Sequence, residues 1–512
     1  MIPELIQNCI KSVQSLYNQS IIGNCLTSAQ VKTRAAFDSS ALGGACYNNS
    51  AAAAIDDSLI VRGVSKTVDT ITQKIRVSKL PSFLQDSTLF WLFTRFEIFF
   101  FALIFLAPFI PTMACVALAV ASIVSLICRV IAFGNPSNNI ADSASKSATK
   151  HSKFLGLSGV DWLVALFIVV SGIYAITSLA TTSAIKVWLI YAAFIGMYFV
   201  AIKTINSPKR LLWACTTFVT SGLIVALYGV YQQYFGNNLG HAWLDESMFT
   251  GISVRVYSTL GNPNVLGEYL LLTIPLAAAL FWWVKKPIPK IFFLGALGVM
   301  LLCMIFTQSR GCWLALILTV MVFILFIDKR YFALLPLALC IAPFVLPQSI
   351  IERFTSIGNL SDTSTSYRVM IWLGTIAMLK DYWFMGVGLS SAAFALIYPF
   401  YSYSMIIAPH AHNIYLEVMA EMSVFTLILL ISIIIVYCLQ LLNAYLKTKP
   451  ITSTGGVHKK SFKAIIIVAI VSGFLGFMMQ GAFDYVWYNY RVFLMFWIFL
   501  GLGIAATRQV ED

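Results

Sequence analysis

The chain has 512 residues, of which 59% are hydrophobic and only 11% charged, and its mean hydropathy is +0.83. A soluble domain carries about 25% charged residues, so lipid must solvate much of this chain. The net charge of +13 falls in short clusters between apolar runs, which is the pattern of basic cytoplasmic loops and excludes a nucleic-acid-binding surface as the leading reading.

Residues 1–87 are rich in Ser, Asn, Ala and Gln. They read as a polar cytoplasmic extension with no chemistry of their own. No basic start leads directly into an apolar core and cleavage site, so no signal peptide is expected. From Leu89 onward, apolar runs recur near the roughly 20 residues that cross a bilayer. They predict an all-α polytopic fold of about twelve spans: 89–109, 112–132, 159–180, 184–203, 211–231, 264–284, 291–307, 312–327, 331–347, 413–440, 464–483 and 491–508. Residues 88–508 then form one multi-span membrane domain. Segments 134–158 and 448–461 are polar loops. The segments 232–263 and 348–412 are long loops on one side, and the second is expected to hold a helix near Tyr367–Lys380. Loops of that length are uncommon unless functional. The ten cysteines form no CxxC pair and mostly fall in apolar segments, so buried thiols are expected, without a disulfide framework or zinc site.

With both termini placed in the cytoplasm, 26 of the 34 Lys and Arg residues lie inside and seven outside, Arg95 falling within the first span. The split supports that orientation. The outside set is Lys186, Arg255, Arg310, Arg353, Arg368, Lys380 and Arg491.

Four outward stretches stand out: Arg255 to Asn264, Thr307-Gln-Ser-Arg-Gly311, Ser366 to Trp372 followed by Gly386-Val-Gly388, and Pro409 to Glu417. Arg255, Arg310 and Arg368 suit a diphosphate, because guanidinium groups bind phosphate oxygens in bidentate fashion and keep their charge. Fixed cations would stabilise a diphosphate leaving group as its bond to a sugar breaks. Imidazole titrates near neutrality, so His412 is a candidate base for an attacking hydroxyl. Asn413, Tyr257, Asn264 and Glu417 are candidate orienting groups, and Tyr398, Phe400, Tyr401 and Tyr403 offer faces for sugar rings. Each has a plainer reading. Interfacial arginines snorkel, tyrosines form belts, and Gly261 to Asn264 suits a turn with a helix cap. A zinc site from His410, His412 and Glu417 is disfavoured, since residues two apart share no helical face. Glu417 and Glu421, one turn apart within a span, are functional candidates that can also pair with an arginine. Arg491 and Asp484 are a candidate ion pair.

Taken in order, Arg255 to Asn264, Gln308-Ser-Arg-Gly311, Arg368 with Trp372, Gly386-Val-Gly388 and His412-Asn413 resemble the O-antigen ligase and lipid-linked polysaccharide polymerase superfamily of bacterial inner-membrane proteins. The resemblance covers about residues 160–505. Ligases of that superfamily carry His-Asn, nine residues, then Gly-x-x-Thr; this chain has Ser423-Val-Phe-Thr426 there, with Ser423 at the glycine position. The resemblance implies glycan transfer from an undecaprenyl-diphosphate carrier to an acceptor hydroxyl on a glycan, lipid or protein, without metal or cofactor. Arg255, Arg310 and Arg368 would hold the diphosphate and His412 would activate the acceptor. Ser253 to Asn264, Leu396 to Tyr401 and Gly481 to Tyr488 also resemble a branch labelled as bicarbonate transporters, which gives the alternative of a small-anion transporter. That branch lacks the His-Asn pair, which this chain retains. A non-catalytic scaffold for glycan assembly is the third reading.

Overall fold

The computed structural model describes residues 87–133, 159–236, 255–328, 348–355, 363–403, 405–448 and 458–509, with a few isolated positions between them. Among these residues the chain forms fifteen α-helices: α1 Thr88–Phe93, α2 Phe96–Leu106, α3 Thr112–Phe133, α4 Gly159–Ile176, α5 Thr181–Thr204, α6 Pro208–Phe235, α7 Pro263–Trp283, α8 Pro287–Phe306, α9 Arg310–Asp328, α10 Gln348–Thr355, α11 Thr363–Tyr382, α12 Ser391–Ile397, α13 Ile414–Lys447, α14 Phe462–Gly481 and α15 Tyr490–Thr507. Among the described residues, ten of them are long and apolar enough to cross a membrane: α3 to α9 and α13 to α15.

That is two fewer than the hydropathy pattern suggests. The first expected span breaks at Thr94-Arg95, where Arg95 leaves helical geometry (φ −82°, ψ 61°). This leaves α2 with 11 residues, or about 17 Å at 1.5 Å per residue. The expected span 331–347 lies outside the described residues except for Tyr331, Cys340 and Phe344, as does nearly all of 1–87. The expected helix near Tyr367–Lys380 is present as α11.

The bundle has a centre and a rim. Of the apolar stretch in α7 and in α15, 83% is buried, against 28% in α8 and α9, so α7 and α15 sit inside with α14 between them and the rim helices face lipid. Helices apolar all round belong in such positions. Aromatic packing joins them: Tyr191 of α5 stacks on Phe493 of α15 at 4.3 Å, and Phe477 of α14 on Phe496 of α15 at 4.9 Å.

Charge separates the two ends. At one end Arg508 meets the buried Asp161 at 2.6 Å and Arg210 meets Glu97 at 3.1 Å. Lys203, Lys285, Lys286, Lys447 and Lys460 lie at the termini of helices on the same end. The other end carries the turns before α7, between α8 and α9, before α13 and between α14 and α15. Every cation of the expected outside set is found there.

Helix α13 is bent. Ser423 lies inside it with φ 76° and ψ 169°, a region in which side chains are strongly disfavoured. The break frees backbone acceptors, and the Gly386-Val-Gly388 segment docks on them: Val387 N–H donates to Ala420 O at 2.8 Å and Gly388 N–H to Glu421 O at 3.0 Å. The glycines are required there. Both have positive φ, and a Cβ on Gly388 would collide with the Ser178 backbone.

Candidate active site

Asp484 is the hub. It lies in the turn between α14 and α15 and is buried. Its Oδ1 is 2.9 Å from Nδ1 of His412 and accepts the Tyr485 N–H at 2.9 Å. Its Oδ2 accepts from Asn264 Nδ2 at 2.8 Å and from Arg368 at 3.3 Å. Burial alone would raise this carboxyl. The Arg368 charge, the His412 hydrogen bond and the nearby imidazoles together hold it well below the usual carboxylate range.

His412 is held from several directions. Its φ of 48° is the left-handed conformation, which lets the ring turn back over the bundle. Asn413 caps α13, its Oδ1 accepting from Tyr415 N–H and Leu416 N–H and its Nδ2 donating to Ala482 O at 2.9 Å. The cap thus ties the His412 turn to the Asp484 turn. On α11, Arg368 and Trp372 stand one helical turn apart and face the same way: Arg368 grips Asp484, and Trp372 Nε1 donates to His412 O at 3.3 Å. His410 Nδ1 accepts the His412 N–H at 3.2 Å. His410 is kept neutral, its pKa pushed down to about 3 by burial first and then by the charges of His412 and Arg368.

His410, His412, Arg368 and Asp484 border a cavity of about 470 Å³. Arg255, Arg310, Arg353 and Arg368 line it together with the carboxyl groups of Asp484 and Glu268. Arg255 is fixed by Thr307 O at 3.1 Å and by Asn264 Oδ1 at 3.3 Å, so Asn264 relays between Arg255 and Asp484. Burial, and then the charges of Arg353 and Arg368, push the Arg255 guanidinium down to about 9. Arg353 donates to Gln308 O at 3.5 Å. Four guanidinium groups against two carboxyls give an anion site. Such a lining holds phosphate oxygens and stabilises charge developing on them.

The structure thus brings together Arg255, Arg310, Arg368, His412 and Asn264. It does not place the other expected groups in the cavity wall. Asn413 is occupied as a cap. Glu417 is buried behind the site, where its Oε2 accepts the Ala411 N–H at 2.5 Å, and neither it nor Glu421 pairs with an arginine among the described residues. Tyr257 lies outside the wall, its N–H donating to Gln232 Oε1 at 3.3 Å. Tyr398 is buried and stacks on Phe394 at 5.0 Å, while Phe400 and Tyr403 point outward and Tyr401 bonds Asp381. The expected Arg491–Asp484 pair is also absent: Arg491 donates to Pro108 O at 3.1 Å. Asp484, Arg353 and Glu268 are residues of the lining that sequence reasoning did not assign to the site. An acid in the short polar turn between two buried helices was the available signal for Asp484, and the outside charge set already contained Arg353. No group of three or more His, Cys, Asp and Glu residues that would hold a metal occurs among the described residues.

The fold and this lining define a polytopic α-helical membrane protein with a cationic cavity and a carboxylate-held imidazole at one end of its bundle. Residues 295–431 match the family model described as O-antigen ligase, an association with that broad superfamily carried by about a quarter of the chain. No curated protein matches the chain. The matched segment contains Arg310, Arg353, Arg368 and His412, whereas Arg255, Asn264 and Asp484 lie outside it.

Proposed function

We propose that the protein transfers a glycan from an undecaprenyl-diphosphate carrier to an acceptor hydroxyl at the outer face of the bacterial cytoplasmic membrane, as a ligase or polymerase of cell-surface polysaccharide biosynthesis. The observation that carries the reading is the Asp484 carboxylate, which joins His412 Nδ1 to Arg368 in a cavity of four arginines. With Nδ1–H donating to Asp484, His412 Nε2 is left as the proton acceptor. The acceptor oxygen attacks the anomeric carbon as its proton passes to Nε2. The bond between that carbon and the diphosphate oxygen breaks, and its electron pair leaves with the diphosphate. Arg255, Arg310, Arg353 and Arg368 hold the growing negative charge, while Asp484 stabilises the imidazolium that forms. Anion permeation would have no use for such a proton acceptor.

The test is deletion of the gene followed by complementation with wild type, His412→Ala or Arg310→Ala, with surface glycans separated on gels. Wild type should restore long chains and neither variant should. Accumulated lipid-linked glycan would mark a ligase, and retained single repeat units a polymerase. Glycans unchanged by deletion would overturn the proposal.

A further inference from the structure

Two buried carboxyl groups behind the site take no part in the transfer step. Glu417 and Glu421 stand four residues apart on α13, on one face of the helix, and are 0% and 2% exposed. Each accepts a backbone N–H from a different loop. Glu417 Oε2 accepts from Ala411 at 2.5 Å, and Glu421 Oε1 from Ser390 at 3.2 Å. The remaining oxygens, Glu417 Oε1 and Glu421 Oε2, are buried and meet no N–H or hydroxyl group. The two carboxyl groups hydrogen-bond to each other.

An ionised carboxyl only accepts hydrogen bonds, so that contact needs a proton. Two like charges side by side away from water are also disfavoured. No basic side chain pairs with either group among the described residues. The titratable groups that face the pair from α5, from the turn between α14 and α15 and from α15 are the hydroxyls of Tyr191, Tyr485 and Tyr490. Arg491 borders a cavity together with Glu421 but donates to Pro108 O at 3.1 Å. Both loops held by the pair carry a side chain at positive φ. Ala411 directly precedes His412, at φ 48°, and Ser390 itself takes φ 123°. Such conformations persist only where their surroundings over-determine them.

We propose that Glu417 and Glu421 share one proton and clasp the two loops to α13, positioning His412 for transfer, a reading that rests on the function proposed above. Glu417 holds the peptide before His412, Glu421 holds the peptide at Ser390, and the shared proton joins the two. Both are positioning residues, since neither borders the cavity of the four arginines. Glutamine can stand in for the protonated member. Its amide oxygen accepts the backbone N–H and its amide N–H donates to the remaining carboxylate.

The test has two readouts. Infrared spectra of the full chain in nanodiscs report protonated carboxyl groups by their C=O stretch. Glu417→Gln and Glu421→Gln should each remove one carboxyl's share of that band, and the double variant should remove no more. A band unchanged in both single variants, or a double variant that loses twice as much, would overturn the shared proton. The second readout is the transfer rate per folded protein, in membranes of deletion cells that carry accumulated lipid-linked glycan. Each single Gln variant should transfer near the wild-type rate. Glu417→Ala should lower the maximal rate at least about tenfold, the scale of a misplaced catalytic group. The donor concentration for half-maximal rate should not change. Glu417→Asp, one methylene too short to reach both partners, should behave in the same way and serves if the alanine variant does not fold. A wild-type rate in whichever of the two folds would overturn the positioning role. The two readings fail separately. Wild-type membranes without transfer would remove the transfer step, whereas the infrared bands report the shared proton without it.

Discussion

Asp484 does for His412 what no other side chain at the site can do. It fixes the Nδ1 proton, turns the ring and offsets the positive charge that appears when Nε2 is protonated. Asp484→Asn keeps the size of the side chain and removes its charge. The glycan transfer proposed above should fall at least about a hundredfold in that variant, the scale of a lost acid–base contribution, while membrane insertion and yield stay near wild type. Quantitative gels of surface glycan from cells expressing equal amounts of each protein check this. His410 gives a second prediction. Its pKa is depressed from 6.5 to about 3 in the fold. As pH falls through 6.5 the unfolded chain takes a proton that the folded chain refuses, so the stability is complete above that pH and drains away toward pH 3. The depressed carboxyl of Asp484 acts in the same sense only below about pH 4, where an unfolded aspartate begins to protonate. The melting temperature of wild type relative to His410→Asn, which retains an acceptor for the His412 N–H, should therefore fall between pH 6.5 and 4. Melts of the detergent-solubilised protein across this range check it.

Element by element, sequence and structure agree where the local rule is strong. Gly261 takes φ 79°, Asn262 caps α7 by accepting the Asn264 N–H, and Pro263 stands at the first turn, so that turn was legible in full. The arginines and His412 were legible as a set because charge at one end of an apolar bundle is conspicuous. Asp484 was not, because its partners come from α11, the first turn of α7 and the turn before α13, which the chain separates from it by up to 220 residues. No spacing rule reaches across such distances. The departure at Ser423 was visible in sequence but its cost was not. The structure places that residue at φ 76° and ψ 169°, where strain of about 1–3 kcal/mol is typical. Its hydroxyl lies 2.6 Å from that of Tyr174, a contact worth about 1 kcal/mol net. Strain relief outweighs the lost contact, so Ser423→Gly should stabilise the protein by about 1 kcal/mol. Gly388→Ala should destabilise it by more than that, because the added methyl meets Ser178 backbone as well as an unfavourable φ. Thermal melts of both variants, with Tyr174→Phe to measure the hydroxyl contact alone, separate these contributions.

At the scale of the whole molecule, the distribution of charge makes a claim about direction. Among the described residues, the end opposite the site holds Lys203, Arg210, Lys285, Lys286, Lys290, Lys447, Lys460 and Arg508, beyond what its acids offset. Loops rich in Lys and Arg stay in the cytoplasm during insertion. The arginines at the other end are partly buried and engaged with Asp484, Asn264 and backbone carbonyls, so they are retained there by the site and do not compete as freely mobile topological signals. The cavity should therefore open away from the cytoplasm, where a lipid-linked glycan would already have been delivered by a flippase-type reaction. Single cysteines test this in a background from which all ten native cysteines have been replaced. Ser364→Cys, at the exposed start of α11 beside the cavity, should react with a membrane-impermeant maleimide on intact spheroplasts. Lys286→Cys, exposed at the opposite end, should react only after the membrane is permeabilised. The reverse labelling pattern would put the arginine cavity in the cytoplasm, where no outward-facing glycan acceptor could reach it, and the transfer proposal would fall with the orientation.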